Sequence, residues 1–228
     1  MFARQMVREG GLERALQPGD NLANGVLPVT RNSNTGVTLL ATELLSGYIK
    51  RTGTAGGGIS DTLPTADALM AALANSQSGA FDSLAGLGFE FLFNNTVGQT
   101  ITMAAPASEG VTISTAASGT STVATNKVRH FLARFLCDPI RKVQFAADGA
   151  NTGTTLTFNA PVANGLLVPG MAVYGTGVGS GAIISGLTFG QGGITGVKLS
   201  AANTADIVDG TITFSPRYEL VSLGAMDI

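Results

Sequence analysis

Cysteine, histidine and tryptophan are almost missing from this chain: 228 residues contain one Cys, one His and no Trp. With Cys137 alone, no intrachain disulfide can form, and the fold must be held by its core. With His130 alone, one copy can build neither a Ser-His-Asp triad nor a His-rich metal centre. Charge is scarce as well. Asp, Glu, Lys and Arg make up 12% of the residues, about half the usual share. The net charge is −2 and no basic block stands out, so the electrostatic footprint of a nucleic-acid binder is missing. No apolar run approaches the roughly 18 residues that would span a bilayer as a helix. The opening stretch MFARQMVREGGLER mixes charges and lacks the apolar segment of a secretory signal. Synthesis in a cytoplasm without general export is therefore expected.

What is abundant is glycine, 31 residues, set in a chain that is 44% hydrophobic with a mean hydropathy of +0.30. Disorder requires low hydrophobicity and high net charge, and this composition has neither. It instead fits many short strands joined by Gly-rich turns. A freely soluble monomer usually keeps more charge on its surface. The shortage predicts that much of the surface is covered by other copies or by another protein.

Residues 1–35 are the most charged part, with Arg4, Arg8, Glu9, Glu13, Arg14 and Asp20. Gly10-Gly11 would stop a helix, and Pro18-Gly19-Asp20 and Asn32-Ser33-Asn34 are turn chemistry. This stretch reads as an extended arm, and its apolar Leu22, Val26, Leu27 and Val29 point to docking. Residues 36–145 read as an antiparallel β-sandwich or barrel domain with one short helix at 63–75. Val37–Leu40 and Tyr48–Thr52 are strand candidates. In the helix, Thr65 is placed as N-cap and Asp67 meets the positive end of the dipole. Ala66, Leu69, Met70 and Leu73 recur at helical spacing. Phe89, Phe91 and Phe93 share one face of a later strand. Lys127–Cys137 alternates with two mixed faces, which predicts a central strand or one whose second face is covered by a partner. Beyond Asp138-Pro139, residues 146–215 divide into strands of about six residues, the spacing of a smaller all-β domain. Residues 216–228 form a last strand. Its return to the first domain would make 146–215 an insertion.

The motifs that carry chemistry are weak. Gly175-Thr176-Gly177-Val178-Gly179-Ser180-Gly181 lacks both the Lys-Ser/Thr end of a phosphate loop and a following helix, so it reads as a turn. Asp206 and Asp209 are near in sequence but belong to no Asp-x-Asp-x-Asp-Gly loop. Glu109 and Asp138 have no evident carboxylate partner. His130 is expected as a half-buried or interface residue and Cys137 as a small buried hydrophobe. No catalytic residue, metal ligand or cofactor site is assigned.

Two stretches resemble known modules. Thr38–Ile49, Arg51-Thr52-Gly53 and Asp61-Thr62-Leu63-Pro64-Thr65-Ala66, with Phe89-Glu90-Phe91, Gly110-Val111-Thr112 and Arg129–Phe135, are similar to a β module of tailed-bacteriophage structural proteins. Head decoration (cement) proteins and capsid fibres carry it, and the resemblance covers roughly 36–136. Pro169-Gly170-Met171-Ala172-Val173-Tyr174-Gly175-Thr176-Gly177, with Lys198-Leu199-Ser200 and Thr211-Ile212-Thr213-Phe214, resembles a unit of phage tail, fibre and decoration proteins. It covers about 152–215. The resemblance implies a non-enzymatic virion protein on the capsid surface, a homotrimer bound to the major capsid protein, with no direct contact to nucleic acid or membrane. Within that expectation, Phe2, Arg4, Arg8 and Arg14 of the arm are the candidate capsid contacts. The alternative is a head fibre or tail protein that binds host-surface carbohydrate. An enzyme, such as a depolymerase, is the third class, and the shortage of His, Cys and paired carboxylates argues against it.

Overall fold

A computed structural model describes residues 6–9, 12–15, 29–76, 86, 88–114, 121–138 and 141–227. Among the described residues the fold is mainly β, with two helices. In chain order the elements are β1 (Met6–Glu9), β2 (Leu12–Ala15), β3 (Val29–Asn32), α1 (Ala41–Leu45), β4 (Tyr48–Thr52), β5 (Ile59–Thr62), α2 (Ala66–Ser76), β6 (Gly88–Asn95), β7 (Ile101–Ala104), β8 (Val111–Ser114), β9 (Thr122–Val123) and β10 (Lys127–Phe135). They continue with β11 (Val143–Gly149), β12 (Thr155–Val162), β13 (Ala172–Tyr174), β14 (Ile184–Gly190), β15 (Gly193–Leu199), β16 (Ile207–Ser215) and β17 (Tyr218–Asp227).

The larger sheet runs β3-β4-β6-β10-β17-β8. Its centre is antiparallel, β6 and β17 flanking β10. Its margins are parallel: β3 with β4, β4 with β6, and β8 with β17. Strand alternation explains which face is buried. Phe91 and Phe93 on β6, Phe131, Ala133 and Phe135 on β10, and Tyr218 and Leu220 on β17 all point into one core. Phe91 and Phe131 are cross-strand partners with rings stacked 5.5 Å apart, a pairing that adds to the gain from area burial. The opposite wall of this core is a three-stranded sheet, β5-β7-β9, contributing Ile101, Met103 and Val123. Leu44 of α1 and Leu69 and Met70 of α2 fill the rest.

The helix expected at 63–75 is α2, and its cap is the expected one: the Ala68 N–H donates to Thr65 Oγ1 at 3.1 Å. A second helix, α1, was not foreseen. Val37–Leu40 reads as a strand, yet only Thr38 makes a bridge, to Thr62. The chain then turns into α1 because the Glu43 carboxylate reaches back and accepts the Leu40 N–H at 2.7 Å, satisfying a helix-start donor that a strand would have paired elsewhere. Residues 29–35, read from sequence as the end of the arm, supply β3, the outermost strand beside β4.

Strands β11 to β16 all lie between β10 and β17 in sequence and form their own sheet, ordered β13-β16-β11-β12-β15-β14. Its two margins meet. The Val173 N–H donates to Ala182 O and Ile184 N–H to Met171 O, both at 2.9 Å, and Ala172 bridges Ile183. The sheet is thus curled upon itself, which removes part of the free edge. Inside, Phe145, Phe158 and Phe214 form a triangle of rings with centroids 5.8–6.2 Å apart, surrounded by Leu156, Ile194, Val197 and Ile212.

Candidate functional site

The arm expected to make contacts begins with a two-stranded antiparallel ribbon, β1 against β2. Arg8 lies opposite Glu13 and Arg14 opposite Val7, on adjacent rungs. Arg8 and Arg14 thus occupy adjacent rungs of the ribbon's backbone ladder. Phe2 and Arg4 lie outside the described residues.

The root of the arm is fastened by a buried network that the sequence reading missed. Arg51 and Asp61 are both 0% exposed and joined, Arg51 Nε donating to Asp61 Oδ2 at 2.6 Å and Nη2 to Oδ1 at 3.2 Å. The guanidinium also donates to two carbonyls of the incoming chain, Arg31 O at 3.2 Å and Thr35 O at 3.0 Å. Asp61 in turn accepts the Val37 N–H at 3.1 Å. One ion pair thus ties residues 31–37 to β4 and β5 and satisfies backbone groups that would be costly to bury unpaired. Nearby, Arg31 Nε donates to Glu43 Oε1. Gly53 lets the backbones approach: at φ +132°, a Cβ there would sit 2.4 Å from Ser33 O. A signal was available. In β4, Ile49 and Arg51 are the inward pair and Tyr48 and Lys50 the outward one, so the alternation itself places Arg51 on the apolar face.

A second cluster joins the two sheets. Lys142, just before β11, donates through its backbone N–H to Asp67 Oδ1 at 2.8 Å and through Nζ to Glu109 Oε1 at 2.8 Å. The Gly110 N–H donates to the Tyr174 hydroxyl at 2.8 Å. Arg217 Nη1 donates to Gly170 O at 3.3 Å, and the Arg217 N–H to Cys137 Sγ at 3.2 Å. Cys137 is buried as expected, at the foot of the second core, and burial pushes its thiol pKa up, the direction that makes a thiol inert. Glu109, which sequence left without a role, is therefore a partner of Lys142. Beside this cluster the Tyr218 hydroxyl donates to Pro64 O at 2.8 Å, and burial pushes the phenol far above its ordinary range. Tyr218→Phe should lower stability by about 1–2 kcal/mol, because it leaves the Pro64 carbonyl buried without its donor. Calorimetric unfolding of the variant beside the parent checks this.

The remaining sequence candidates have local duties. Asp206 Oδ1 accepts the Asn151 N–H and Asp148 Oδ1 the Asp209 N–H, both at 2.7 Å. These carboxylates tie the 148–151 segment to the 206–209 segment across 55 and 61 positions of sequence. Among the described residues no group of three or more His, Cys, Asp or Glu is placed to hold a metal ion. The 175–181 glycine stretch is a turn packed on the 202–207 loop: Thr204 N–H donates to Gly177 O at 2.7 Å, and a Cβ at Gly179 would lie 2.2 Å from Ala202 O. Glycine is there for close approach. His130 is half-buried on β10, its Nε2 2.8 Å from Glu90 Oε2. No described helix is long and apolar enough to cross a membrane. A scan against protein-family models finds no match, and a search of curated proteins finds none.

Proposed function

We propose that this chain is a structural protein of a virus particle, a trimeric cement protein that decorates a bacteriophage capsid and stabilises it by bridging shell subunits. The observation that carries the reading is the construction of the N-terminal end. A ribbon of two four-residue strands, β1 and β2, is too small to be stable alone in water. It gains stability by lying on a surface. Its root is held by the fully buried Arg51–Asp61 pair, so tension on the arm passes into the core of the larger sheet. A clip of this kind, repeated by each copy of an oligomer, resists separation of the shell through avidity. The sequence resemblance to phage decoration modules over 36–136 and 152–215 supplies the shell as the partner.

The test is occupancy of undecorated capsids by the full chain and by a variant lacking residues 1–28, which keeps β3 and its anchor. The truncated protein should lose at least tenfold in shell affinity while its thermal transition stays within about 2 °C of the parent. Equal occupancy by both proteins would remove the arm from the contact. The second reading, a carbohydrate-binding fibre or tail protein, is favoured by Phe189, which stands 63% exposed on β14. Failure of the full chain to bind shells, together with glycan binding that Phe189→Ala abolishes, would move the assignment there.

A further inference from the structure

Residues 149–197, which supply most of the second sheet, contain no Asp, Glu, Lys, Arg or His. The polar chemistry of this segment is left to amides, hydroxyls and backbone. One amide differs from the rest in its setting. Asn164 and Gly165 are the central residues of the 163–166 turn after β12, closed by the Leu166 N–H on Ala163 O at 3.3 Å. Gly165 has φ +86°, the angle that a type II turn demands at its third position and that glycine adopts readily. All four residues of the turn are exposed. A Cβ at Gly165 would meet nothing within 4 Å, so the peptide joining Asn164 to Gly165 lies in open space.

An Asn followed by Gly is a self-reactive pair. The Gly amide nitrogen can close a five-membered ring on the Asn Cγ, and no side chain of its own stands in the way. A rigid backbone or an engaged side chain prevents this. The chain's two Asp-Gly pairs, open to the same ring closure, have such protection. The Asp148 carboxylate accepts the Asp209 N–H at 2.7 Å. Gly149 is packed so closely that a Cβ would lie 2.6 Å from Asn203 Nδ2 and 2.7 Å from Leu156 Cδ2. Asp209 accepts a bond from Asn159, and Gly210 is held in β16 opposite Ala147. At Asn164 the turn is closed by a single bond of 3.3 Å, beyond the usual hydrogen-bond length. Little resists the peptide rotation that ring closure needs.

We propose that Asn164 is a site of spontaneous deamidation, with water as the only co-reactant. Gly165 N loses its proton to base and bonds to Asn164 Cγ. The Cγ–Nδ2 bond breaks, and ammonia leaves with a proton returned from solvent. Water then opens the succinimide at either ring carbonyl, giving an aspartyl or an isoaspartyl residue at 164. Nothing is oxidised or reduced. The product places a negative charge in a segment that had none, next to the exposed Leu166. The fold tolerates the change, because Val162 and Leu167 on either side are buried and hold the ends of the turn. This inference is independent of the capsid reading.

The experiment incubates the full chain in mildly alkaline buffer beside a synthetic peptide of residues 160–169. Ion exchange follows the more acidic species, and peptide mapping by mass spectrometry locates it. Conversion at Asn164 should run within about tenfold of the peptide and at least about tenfold faster than at Asn159, whose side chain is bonded to Asp209. It should quicken as pH rises, since the attacking nitrogen must lose its proton. Asn164→Gln, which would need a larger ring, should abolish conversion at 164 and keep the thermal transition of the parent. Asn164 intact after the peptide has converted would overturn the proposal. So would an acidic species that maps only to Asn24, in the chain's other Asn-Gly pair, which lies outside the described residues.

Discussion

Replacing Arg51 by Met should cost the protein about 3–5 kcal/mol, the usual result of breaking a buried ion pair from one side. Asp61 would remain at 0% exposure with its charge uncompensated, and the carbonyls of Arg31 and Thr35 would lose their donors. Since a domain is stable by only about 5–15 kcal/mol, the loss is a large fraction of the total. In a chain of this size it should lower the calorimetric midpoint by roughly 10 °C, at 2–4 °C per kcal/mol. Arg51→Met with Asp61→Leu should recover part of it, because the stranded charge is then gone. Recovery should be incomplete, as the Val37 N–H would still lack its acceptor. Lys50→Met, one residue away on the outward side of the same strand, should change stability by about 0.5 kcal/mol or less. A midpoint for Arg51→Met no lower than that of Lys50→Met would show that the pair does not anchor the arm.

The second large effect is expected at Gly110, where the two sheets meet. Its φ is +70°, and an added Cβ would lie 1.9 Å from Pro216 O and 3.1 Å from Ser215 Oγ. The chain cannot move aside freely, because the Gly110 N–H donates to the Tyr174 hydroxyl at 2.8 Å and Gly110 O accepts the Tyr218 N–H at 3.1 Å. Gly110→Ala should therefore cost about 1–3 kcal/mol for the overlap and roughly 1 kcal/mol more for the left-handed backbone. It should also loosen the junction, so that limited proteolysis cuts first near Asp138 or Pro216. Gly98→Ala provides the comparison. Gly98 has φ +89° and nothing within 4 Å of an added Cβ, so only the conformational cost of about 1 kcal/mol should appear. Equal midpoints for the two variants would mean that the junction yields and that Gly110 is present for its backbone angle alone.

Much of the fold was legible from periodicity. The Phe89, Phe91, Phe93 alternation located β6 and its buried face, and Thr65 with the Ala66–Leu73 spacing located α2 and its cap. Lys127–Cys137, with its two mixed faces, reads as a central strand, and it became β10, with a buried Phe face and a second face outside both cores. Other features were not legible. At 37–40 the β-branched and apolar residues suggest a strand, but the outcome turned on one long-armed carboxylate, Glu43, reaching three residues back. Of the residues proposed as arm contacts, Phe2, Arg4, Arg8 and Arg14, only Arg8 and Arg14 lie among the described residues, and the β1–β2 register sets them on adjacent rungs.

By itself the sequence determined the class: a β-rich chain with no disulfide, cut into short strands at its glycines, with inward faces marked by alternation. These are local properties, set by the period of two along a strand and by the few residues that tolerate a tight turn. Only the tertiary structure decided which strands are neighbours, that β17 returns beside β10, and that Tyr218 reaches Pro64 across 154 positions. It alone placed Arg51 against Asp61 and left Leu132 and Val221 outside both cores. Alternation states which face of a strand is buried and is silent on what buries it, because a strand's partner is chosen by the packing of the whole chain.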